Sequence, residues 1–167
     1  HLSALSRLIS ALANVNVASA EINLDKADKW NGIIDNQGGT INTDNVTQSS
    51  STAALIQSDG TTNIDNTSNI TLGEKSEISG GDINITNNSV LNTVNAHITG
   101  GNMTIDENSA FVVKNGTFEL DKIIASGDGA MQNALIHTMN GERNMSSIGE
   151  LNIANQANFN IDIHARS

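Results

Sequence analysis

The chain contains no cysteine, no proline and no tyrosine, and it has only one tryptophan and three phenylalanines. The absence of cysteine excludes disulfides and thiolate metal sites, and it is compatible with a protein that folds after export. The absence of proline suits strands that donate backbone hydrogen bonds on both edges. Because aromatic residues are so few, any hydrophobic core must be built mainly from aliphatic side chains. Leu, Ile, Val and Phe make up 41 of the 167 residues, which exceeds the level of about 20% below which disorder is expected.

Basic residues are also scarce, with 8 Lys and Arg against 18 Asp and Glu and a formal net charge of −10. Proteins that bind nucleic acid carry basic patches, so we expect no nucleic-acid partner. The same charge argues against binding to anionic membrane surfaces. No apolar run approaches the length of about 18–20 residues that a membrane helix needs, so no membrane insertion of this segment is predicted.

The main positive feature is an internal repeat. The segment 78–91, ISGGDINITNNSVL, is followed by a similar segment at 98–111, ITGGNMTIDENSAF. Apolar positions match apolar positions, and both glycines and the Asn-Ser pair recur. A repeat of this length indicates a solenoid. Further copies begin at Gly39 and Gly60, and looser copies begin at Ala20, Gly116 and Gly149.

Polar and apolar residues alternate within each copy, as they do in a strand with one buried face. We therefore predict two columns of inward side chains and one outward column between them. The first inward column is Ile22, Ile41, Thr62, Ile83, Met103, Phe118 and Leu151, and the second is Leu24, Thr43, Ile64, Ile85, Ile105, Leu120 and Ile153. The outward column is Asn23, Asn42, Asn63, Asn84, Thr104, Glu119 and Asn152.

These patterns predict an all-β fold, a single-stranded parallel β-helix (β-solenoid) with about 20 residues per turn. Neighbouring turns would hydrogen-bond at a spacing of about 4.8 Å and would bury a continuous aliphatic column. We also predict that Asn45, Asn66, Asn87 and Asn108 stack as a ladder in which each amide bonds the next. The alternative is a β-sandwich of short strands, which the close self-match of the repeat disfavours.

The domain organisation follows the same pattern. In residues 1–14, five apolar residues at helical spacing predict an amphipathic helix that caps the open end of the solenoid. An alternative interpretation is the end of a signal peptide, because Ala18-Ser19-Ala20 matches a small-x-small cleavage site. Residues 15–167 are predicted to form the β-solenoid, with an irregular segment at 126–148. The chain starts without Met and stops without a polar cap, so we expect a fragment of a longer protein.

Catalysis is not predicted. Asp25, Asp65, Asp106 and Asp121 follow the strand in four copies and would form an acidic stripe. We interpret that stripe as a solvated face, because Thr86 interrupts it and basic partners are few. We therefore predict no catalytic, cofactor-binding or metal residues, no cofactor, and no enzyme activity.

Metal, calcium, sugar-stacking and ice-binding sites are each disfavoured by the sequence. The histidines His97, His137 and His164 lack metal-ligand spacing, and Gly80-Gly81-Asp82 lacks the third glycine of calcium-binding nonapeptides. Trp30 is expected to pack at a corner of the solenoid, although a sugar-stacking platform is the alternative. An ice-binding face would need columns of threonine, and Thr40 and Thr61 share a position that Asp82, Asn102 and Glu150 occupy elsewhere.

The segment Gly80–Ile85 (GGDINI), the 25 asparagines and the lack of Pro and Cys resemble the passenger region of bacterial autotransporter adhesins and related large repetitive surface proteins. The passage 148–163 is similar to the point at which the stacked turns end in such proteins. The resemblance covers about residues 30–163. It implies a right-handed parallel β-helix displayed at the bacterial cell surface, and it carries over no catalytic residue.

The expected function is a non-catalytic, adhesive or structural stalk in a secreted bacterial surface protein. Polar loops at 47–53 and 126–147 would contact host-cell or extracellular-matrix glycans or proteins, or the protein would associate with itself along the surface. The alternative is a carbohydrate-active or carbohydrate-binding β-helix similar to pectate lyases. Its activity would be lost when Asp65 and Asp106 are changed to Asn.

Overall fold

The computed structural model describes residues 14–126, 138–139 and 145–154. Within these ranges every regular element is a β-strand, and the strands form one 12-stranded sheet whose pairings are all parallel. The sheet winds into a solenoid of about 5 turns, which confirms the predicted parallel β-solenoid. The strands are β1 (Asn14–Val17), β2 (Glu21–Leu24), β3 (Ile33–Asp44), β4 (Thr47–Asp65), β5 (Asn69–Leu72), β6 (Glu77–Ile78), β7 (Asp82–Ile85), β8 (Val90–Ile98), β9 (Asn102–Ile105), β10 (Ala110–Ser126), β11 (Thr138–Met139) and β12 (Met145–Ala154).

One face of the solenoid is formed by the copies that the repeat defines, and we call it the ladder face (residues 21–25, 40–44, 61–65, 82–86 and 102–106). Alternate side chains on it are buried, as the burial pattern of β7 shows for Ile83 and Ile85. The pairing places Ile22, Ile41, Thr62, Ile83, Met103, Ile123 and Leu151 in one column. Up to Met103 this is the first inward column that the sequence predicts.

The prediction is wrong at Gly116. The copy that begins there was expected to place Phe118 and Leu120 after Met103 and Ile105, but Ile123 and Ala125 take those positions. Phe118 instead pairs with Ile98, and Gly116 pairs with Ala96. A Cβ atom on Gly116 would lie 2.2 Å from the carbonyl oxygen of Ala96. This glycine therefore belongs to a different corner, where the two backbones approach closely.

The core is aliphatic along the described part of the rod. It contains a continuous cluster of Ile, Leu and Val together with Met103, Phe111 and Trp30. Trp30 is fully buried, and its Nε1 donates a hydrogen bond to the carbonyl oxygen of Gly32 at 3.1 Å. The corner position predicted for Trp30 is therefore favoured over a sugar-stacking platform, because a stacking ring must be accessible.

A small polar network lies inside the aliphatic core. Gln57 Oε1 accepts hydrogen bonds from Thr62 Oγ1 at 2.6 Å and from Asn36 Nδ2 at 3.2 Å, and all three side chains are fully buried. The Nε2 of Gln57 donates to the carbonyl oxygens of Gly80 and Asp82. Buried polar groups that are fully paired help to specify one arrangement of neighbouring turns.

Thr93 behaves differently from Thr62. Its Oγ1 is buried and has no hydrogen-bond partner. Because an unpaired buried hydroxyl is destabilising and valine has the same shape, we expect Thr93→Val to stabilise the protein by about 1 kcal/mol. Thr62→Val is the matched control and should destabilise it by about 1 kcal/mol, since it removes the bond to Gln57. Chemical denaturation measures both changes in the free energy of unfolding. If both variants change it in the same direction, the distinction between an unpaired Thr93 and a hydrogen-bonded Thr62 is contradicted.

The sequence predicts a loop that begins at Gln48 and an irregular segment at 126–148, and the structure places parts of both in strands. Gln48 was expected to begin an exposed loop, but it is 6% exposed, and its Oε1 accepts a hydrogen bond from the backbone N–H of Thr71. The expected loop is wrong, because residues 48–52 lie within strand β4, and the only irregularity there is a shift in the register of β4 on β5 between Gln48 and Ala53. Within the irregular segment at 126–148, β11 and the start of β12 pair in parallel with β10. These parts therefore belong to the solenoid.

The structure describes only part of the segment to which the N-terminal predictions refer. Residues 1–13, which carry most of the predicted capping helix, lie outside the described residues, and Asn14 begins strand β1. Residues 18–20, the alternative cleavage site, connect β1 to β2, and the carbonyl oxygen of Ala20 accepts a hydrogen bond from the backbone N–H of Thr40. Residues 127–137, 140–144 and 155–167 also lie outside the described ranges.

Candidate functional site

The ladder face carries a row of hydrogen-bonded asparagine side chains. Nδ2 of Asn42 donates to Oδ1 of Asn23 at 2.9 Å, Asn63 donates to Asn42 at 2.8 Å, and Asn84 donates to Asn63 at 2.9 Å. Asn42 and Asn63 therefore each donate to the preceding turn and accept from the next. The sequence predicted an asparagine ladder, but at the wrong column.

The expected ladder column at the corner bonds differently. Asn66 Nδ2 donates to Asp44 Oδ1, and Asn87 Nδ2 donates to Asp65 Oδ1 at 2.7 Å. Asn45, Asn66 and Asn87 have φ of 57°, 49° and 55°. Asparagine is selected there because it tolerates the left-handed region that the corner requires. Its side chain then reaches the aspartate of the preceding turn rather than another asparagine.

The asparagine row gives a graded stability prediction. Asn63→Ala removes two amide–amide hydrogen bonds, whereas Asn84→Ala removes one, to Asn63, and both positions are half-buried. We expect Asn63→Ala to lower the free energy of unfolding by about 1–2 kcal/mol and Asn84→Ala by about half as much. Urea titration measures both losses. Equal losses would show that the row does not act as a chain of bonds.

A second, buried row of serines lies behind the corner. Ser68, Ser89 and Ser109 are fully buried. Ser89 Oγ accepts from the backbone N–H of Ser68 at 3.2 Å, and Ser109 Oγ accepts from that of Ser89 at 3.1 Å. Each hydroxyl therefore satisfies a backbone donor of the preceding turn. The Asn-Ser pair that recurs in the repeat was the available signal for this row.

Acidic side chains line the edge of the ladder face at this corner. Asp44 pairs with Asp65, and Thr86 and Asp106 continue the line because their N–H groups bond to Ile64 and Ile85 of the preceding turn. The predicted acidic stripe is therefore present through these positions and interrupted by Thr86. Asp121 does not belong to it. Its Oδ2 accepts a hydrogen bond from the backbone N–H of Gly101 at 3.0 Å, at the opposite end of the strand.

Asp65 accepts three hydrogen bonds at a single carboxylate oxygen. Its Oδ1 accepts hydrogen bonds from Asn87 Nδ2, from Thr86 Oγ1 at 2.9 Å and from the backbone N–H of Asn66 at 2.7 Å. Partial burial alone raises the pKa of Asp65, but the three hydrogen bonds together outweigh it, and the pKa lies below its ordinary value of 3.8. The charged carboxylate is thus part of the corner structure.

The lowered pKa of Asp65 predicts acid sensitivity. A depressed folded-state pKa contributes stability that is present above the unfolded value and lost as the pH falls through the folded value. We expect the wild type to melt above Asp65→Asn at pH 6 and the difference between their melting temperatures to shrink below about pH 4. Thermal melts from pH 2.5 to pH 7 measure this difference. A difference that is independent of pH would contradict the role of the carboxylate charge.

One end of the acidic corner forms a shallow depression of about 420 Å³, lined by Asp25, Lys26, Ala27, Asp44, Asn45 and Asn66. Asp25 Oδ1 accepts from the backbone N–H of Ala27, and Asn45 Oδ1 accepts from Thr67 Oγ1. Several polar atoms that line the depression are therefore already used in hydrogen bonds within the corner. Among the described residues, no three His, Cys, Asp or Glu side chains form a group that could hold a metal ion.

The remaining sequence expectations can be placed on the same face. Thr40 pairs with Thr61, which pairs with Asp82, which pairs with Asn102. The threonine column that an ice-binding face needs is therefore broken after two turns. His97 lies beside Glu77 on another face of the solenoid and is exposed, whereas His137 and His164 lie outside the described residues.

Comparison of the chain with protein-family models, with curated proteins and with solved structures gives no match. In the described ranges, no helix has the length and apolar character that crossing a membrane would require.

Proposed function

We propose that this chain is a non-catalytic structural or adhesive segment of a secreted bacterial surface protein, a rigid stalk displayed outside the cell. A right-handed coil with about 20 residues per turn and an N-terminal cap is the architecture that we propose with this role. The resemblance of the Gly-Gly-x-Ile-Asn-Ile turns to autotransporter passenger regions supports the location.

The observation that carries the proposal is the continuity of bonding along the rod axis. The ladder face is joined from β2 to β9 by parallel backbone pairing and, over the first four of these strands, by the asparagine row. The serine row links the corner behind it. A rod in which every turn is fixed to the next by backbone and side-chain bonds resists bending and shear.

The contacts with a partner are assigned to residues 49–52. They lie within strand β4, where its register on β5 shifts between Gln48 and Ala53, both of which are buried. Host-cell or extracellular-matrix glycans or proteins are the proposed partners of this segment. Removal of residues 49–52 leaves Gln48 and Ala53 in the chain.

The test uses beads coated with the protein and surfaces coated with matrix proteins or glycans. We expect wild-type beads to adhere and a variant lacking residues 49–52 to adhere several-fold less, with an unchanged melting temperature. Asn23→Ala, which changes the ladder face but not residues 49–52, is the control and should adhere as the wild type does. Equal adhesion of the wild-type beads and the beads that lack residues 49–52 would overturn the assignment of contacts to this segment.

The second candidate is a carbohydrate-active or carbohydrate-binding solenoid, which the polar depression beside Asp44 favours. Carboxylate and amide groups on one surface can bind sugar hydroxyls. Incubation with acidic polysaccharides, followed by measurement of new reducing ends, tests catalysis. Activity in the wild type that disappears in both Asp25→Asn and Asp44→Asn would replace the stalk proposal with an enzymatic one.

A further inference from the structure

The loop between β2 and β3 contains an asparagine that is followed directly by glycine, Asn31-Gly32. In such a pair the glycine N–H can lose its proton and its nitrogen can attack Cγ of asparagine, because glycine has no Cβ to obstruct the approach. The new bond closes a five-membered succinimide and expels ammonia. Water then opens the ring at one of its two carbonyls and leaves aspartate or isoaspartate. The reaction consumes only water, so its rate depends on the local backbone.

The backbone at Asn31 is not part of the sheet. Strand β2 ends at Leu24 and β3 begins at Ile33, so Asn31 and Gly32 both lie between strands. Asn31 is exposed, and within the described part of the chain neither its side chain nor the N–H of Gly32 makes a hydrogen bond. No hydrogen bond of these two groups therefore has to break before the ring can close.

The other Asn-Gly pair within the described ranges, Asn115-Gly116, provides an internal comparison. Both residues lie inside strand β10. Gly116 pairs with Ala96, and an added Cβ would lie 2.2 Å from the carbonyl oxygen of Ala96. Ring closure there would distort a strand that is paired closely with β8. Because the two dipeptides are identical, a difference between their rates reports the fold around them.

The asparagines of the ladder face are protected in two ways. The side-chain amides of Asn42 and Asn63 are hydrogen-bonded along the asparagine row. The residues that follow them, Thr43 and Ile64, are β-branched, and their bulk hinders approach to their own backbone nitrogens. We therefore expect the ladder face to stay intact under conditions in which Asn31 reacts.

The carbonyl oxygen of Gly32 connects this loop to the core. It accepts hydrogen bonds from Nε1 of Trp30 and from the backbone N–H of Ala54, both at 3.1 Å. In isoaspartate the main chain runs through the former side chain, which adds one methylene between Trp30 and Gly32. The fully buried indole and strand β4 fix the two donors. Lengthening the chain therefore displaces the oxygen from at least one of them.

We propose that Asn31 is a site of spontaneous deamidation, and that the isoaspartate formed there releases Trp30 and the N–H of Ala54 from the carbonyl oxygen of Gly32. Loss of ammonia makes the change one-way, so the opened form accumulates as the protein ages. This inference goes beyond the adhesive role and does not depend on it.

Mass spectrometry of digested protein tests the site. The protein is incubated in mildly alkaline buffer, and each Asn-Gly peptide is followed for the small mass gain that replacement of NH₂ by OH produces. We expect the peptide with Asn31 to gain mass several-fold faster than the peptide with Asn115, and fragmentation to identify isoaspartate. Gly32→Ala should slow the gain several-fold. A rate at Asn31 equal to or below that at Asn115 would overturn the proposal.

Tryptophan fluorescence tests the structural consequence, because Trp30 is the only tryptophan in the chain. We expect aged wild-type protein to show emission at longer wavelength and several-fold stronger quenching by acrylamide. Fresh Asn31→Asp carries the new charge without the added methylene and should emit as fresh wild type does. Asn31→Gln, aged in parallel, keeps the other Asn-Gly pairs and should also be unchanged. Isoaspartate at Asn31 with unchanged quenching, or an equal change in Asn31→Gln, would overturn the release of Trp30.

Hydrogen exchange separates local release from global unfolding. The N–H of Ala54 should lose protection in aged wild-type protein, whereas the N–H of Thr86, which donates to Ile64 on the ladder face, should keep it. Equal loss at both amides would overturn the local effect. Because bead adhesion is measured separately on fresh protein, failure of this inference is distinguishable from failure of the stalk proposal.

Discussion

Ile85→Asp should unfold the solenoid or destabilise it by about 4 kcal/mol or more. Ile85 is fully buried and lies in register between Ile64 and Ile105, which are also fully buried. An aspartate there has aliphatic neighbours in the turns above and below it. The carboxylate must therefore be buried without a partner or be protonated, and both outcomes cost stability.

The matched control is Ile85→Val, which removes one methylene and should cost about 1 kcal/mol. Urea denaturation followed by circular dichroism measures both free energies of unfolding. A melting temperature of Ile85→Asp within a degree or two of the wild type would show that the side chain does not face the core. The same substitution at Ile105, one turn later, should have a similar effect.

Gly81→Ala should destabilise the protein by about 3 kcal/mol. Gly81 has φ of +76°, a conformation that costs an L-residue about 1–2 kcal/mol. The added Cβ would also lie 2.5 Å from the carbonyl oxygen of Gly60 in the preceding turn. Because that oxygen belongs to the backbone, relief of the contact requires the two turns to move apart.

Gly81→Asn separates the two contributions. Asparagine tolerates the left-handed region but makes the same Cβ contact with Gly60. A loss close to that of Gly81→Ala would assign the effect to the contact, and a much smaller loss would assign it to the backbone conformation. Neither variant should be neutral, and a neutral Gly81→Ala would contradict the close approach of the turns.

The sequence was sufficient to predict the parallel solenoid and the inward columns as far as Ile105, because a period of two within a period of about 20 has few other physical explanations. It failed at Gly116. Gly-Thr-Phe-Glu-Leu has the same local pattern as Gly-Thr-Ile-Asn-Thr, but the register depends on the length of chain that completes a turn. Gly116 meets Ala96 at a corner, and its spacing of 15 residues from Gly101, against 20 or 21 between the earlier copies, was the available signal.

The hydrogen-bond partners of side chains were harder to predict from the sequence than the path of the backbone. Asparagine recurs both in the strand column that contains Asn63 and in the corner column that contains Asn66, so recurrence alone does not show which column forms the ladder. The choice depends on conformation: Asn63 lies in an extended strand, where its amide meets Asn42 and Asn84 of the adjacent turns, whereas Asn66 is at φ of 49° and its amide reaches Asp44. The buried hydroxyl of Thr93 was likewise invisible to a pattern that counts threonine as polar.

The regular stacking of turns has a consequence for how the chain folds. Side-chain bonds between turns join residues 19 positions apart at Asn42 and Asn23 and up to 25 apart at Asn36 and Thr61. Loop closure over such distances requires a similar, modest entropy for every turn. Each completed turn presents a full strand edge to the residues that follow. Folding can therefore start at one turn and advance along the chain, without waiting for contacts between distant parts of the sequence.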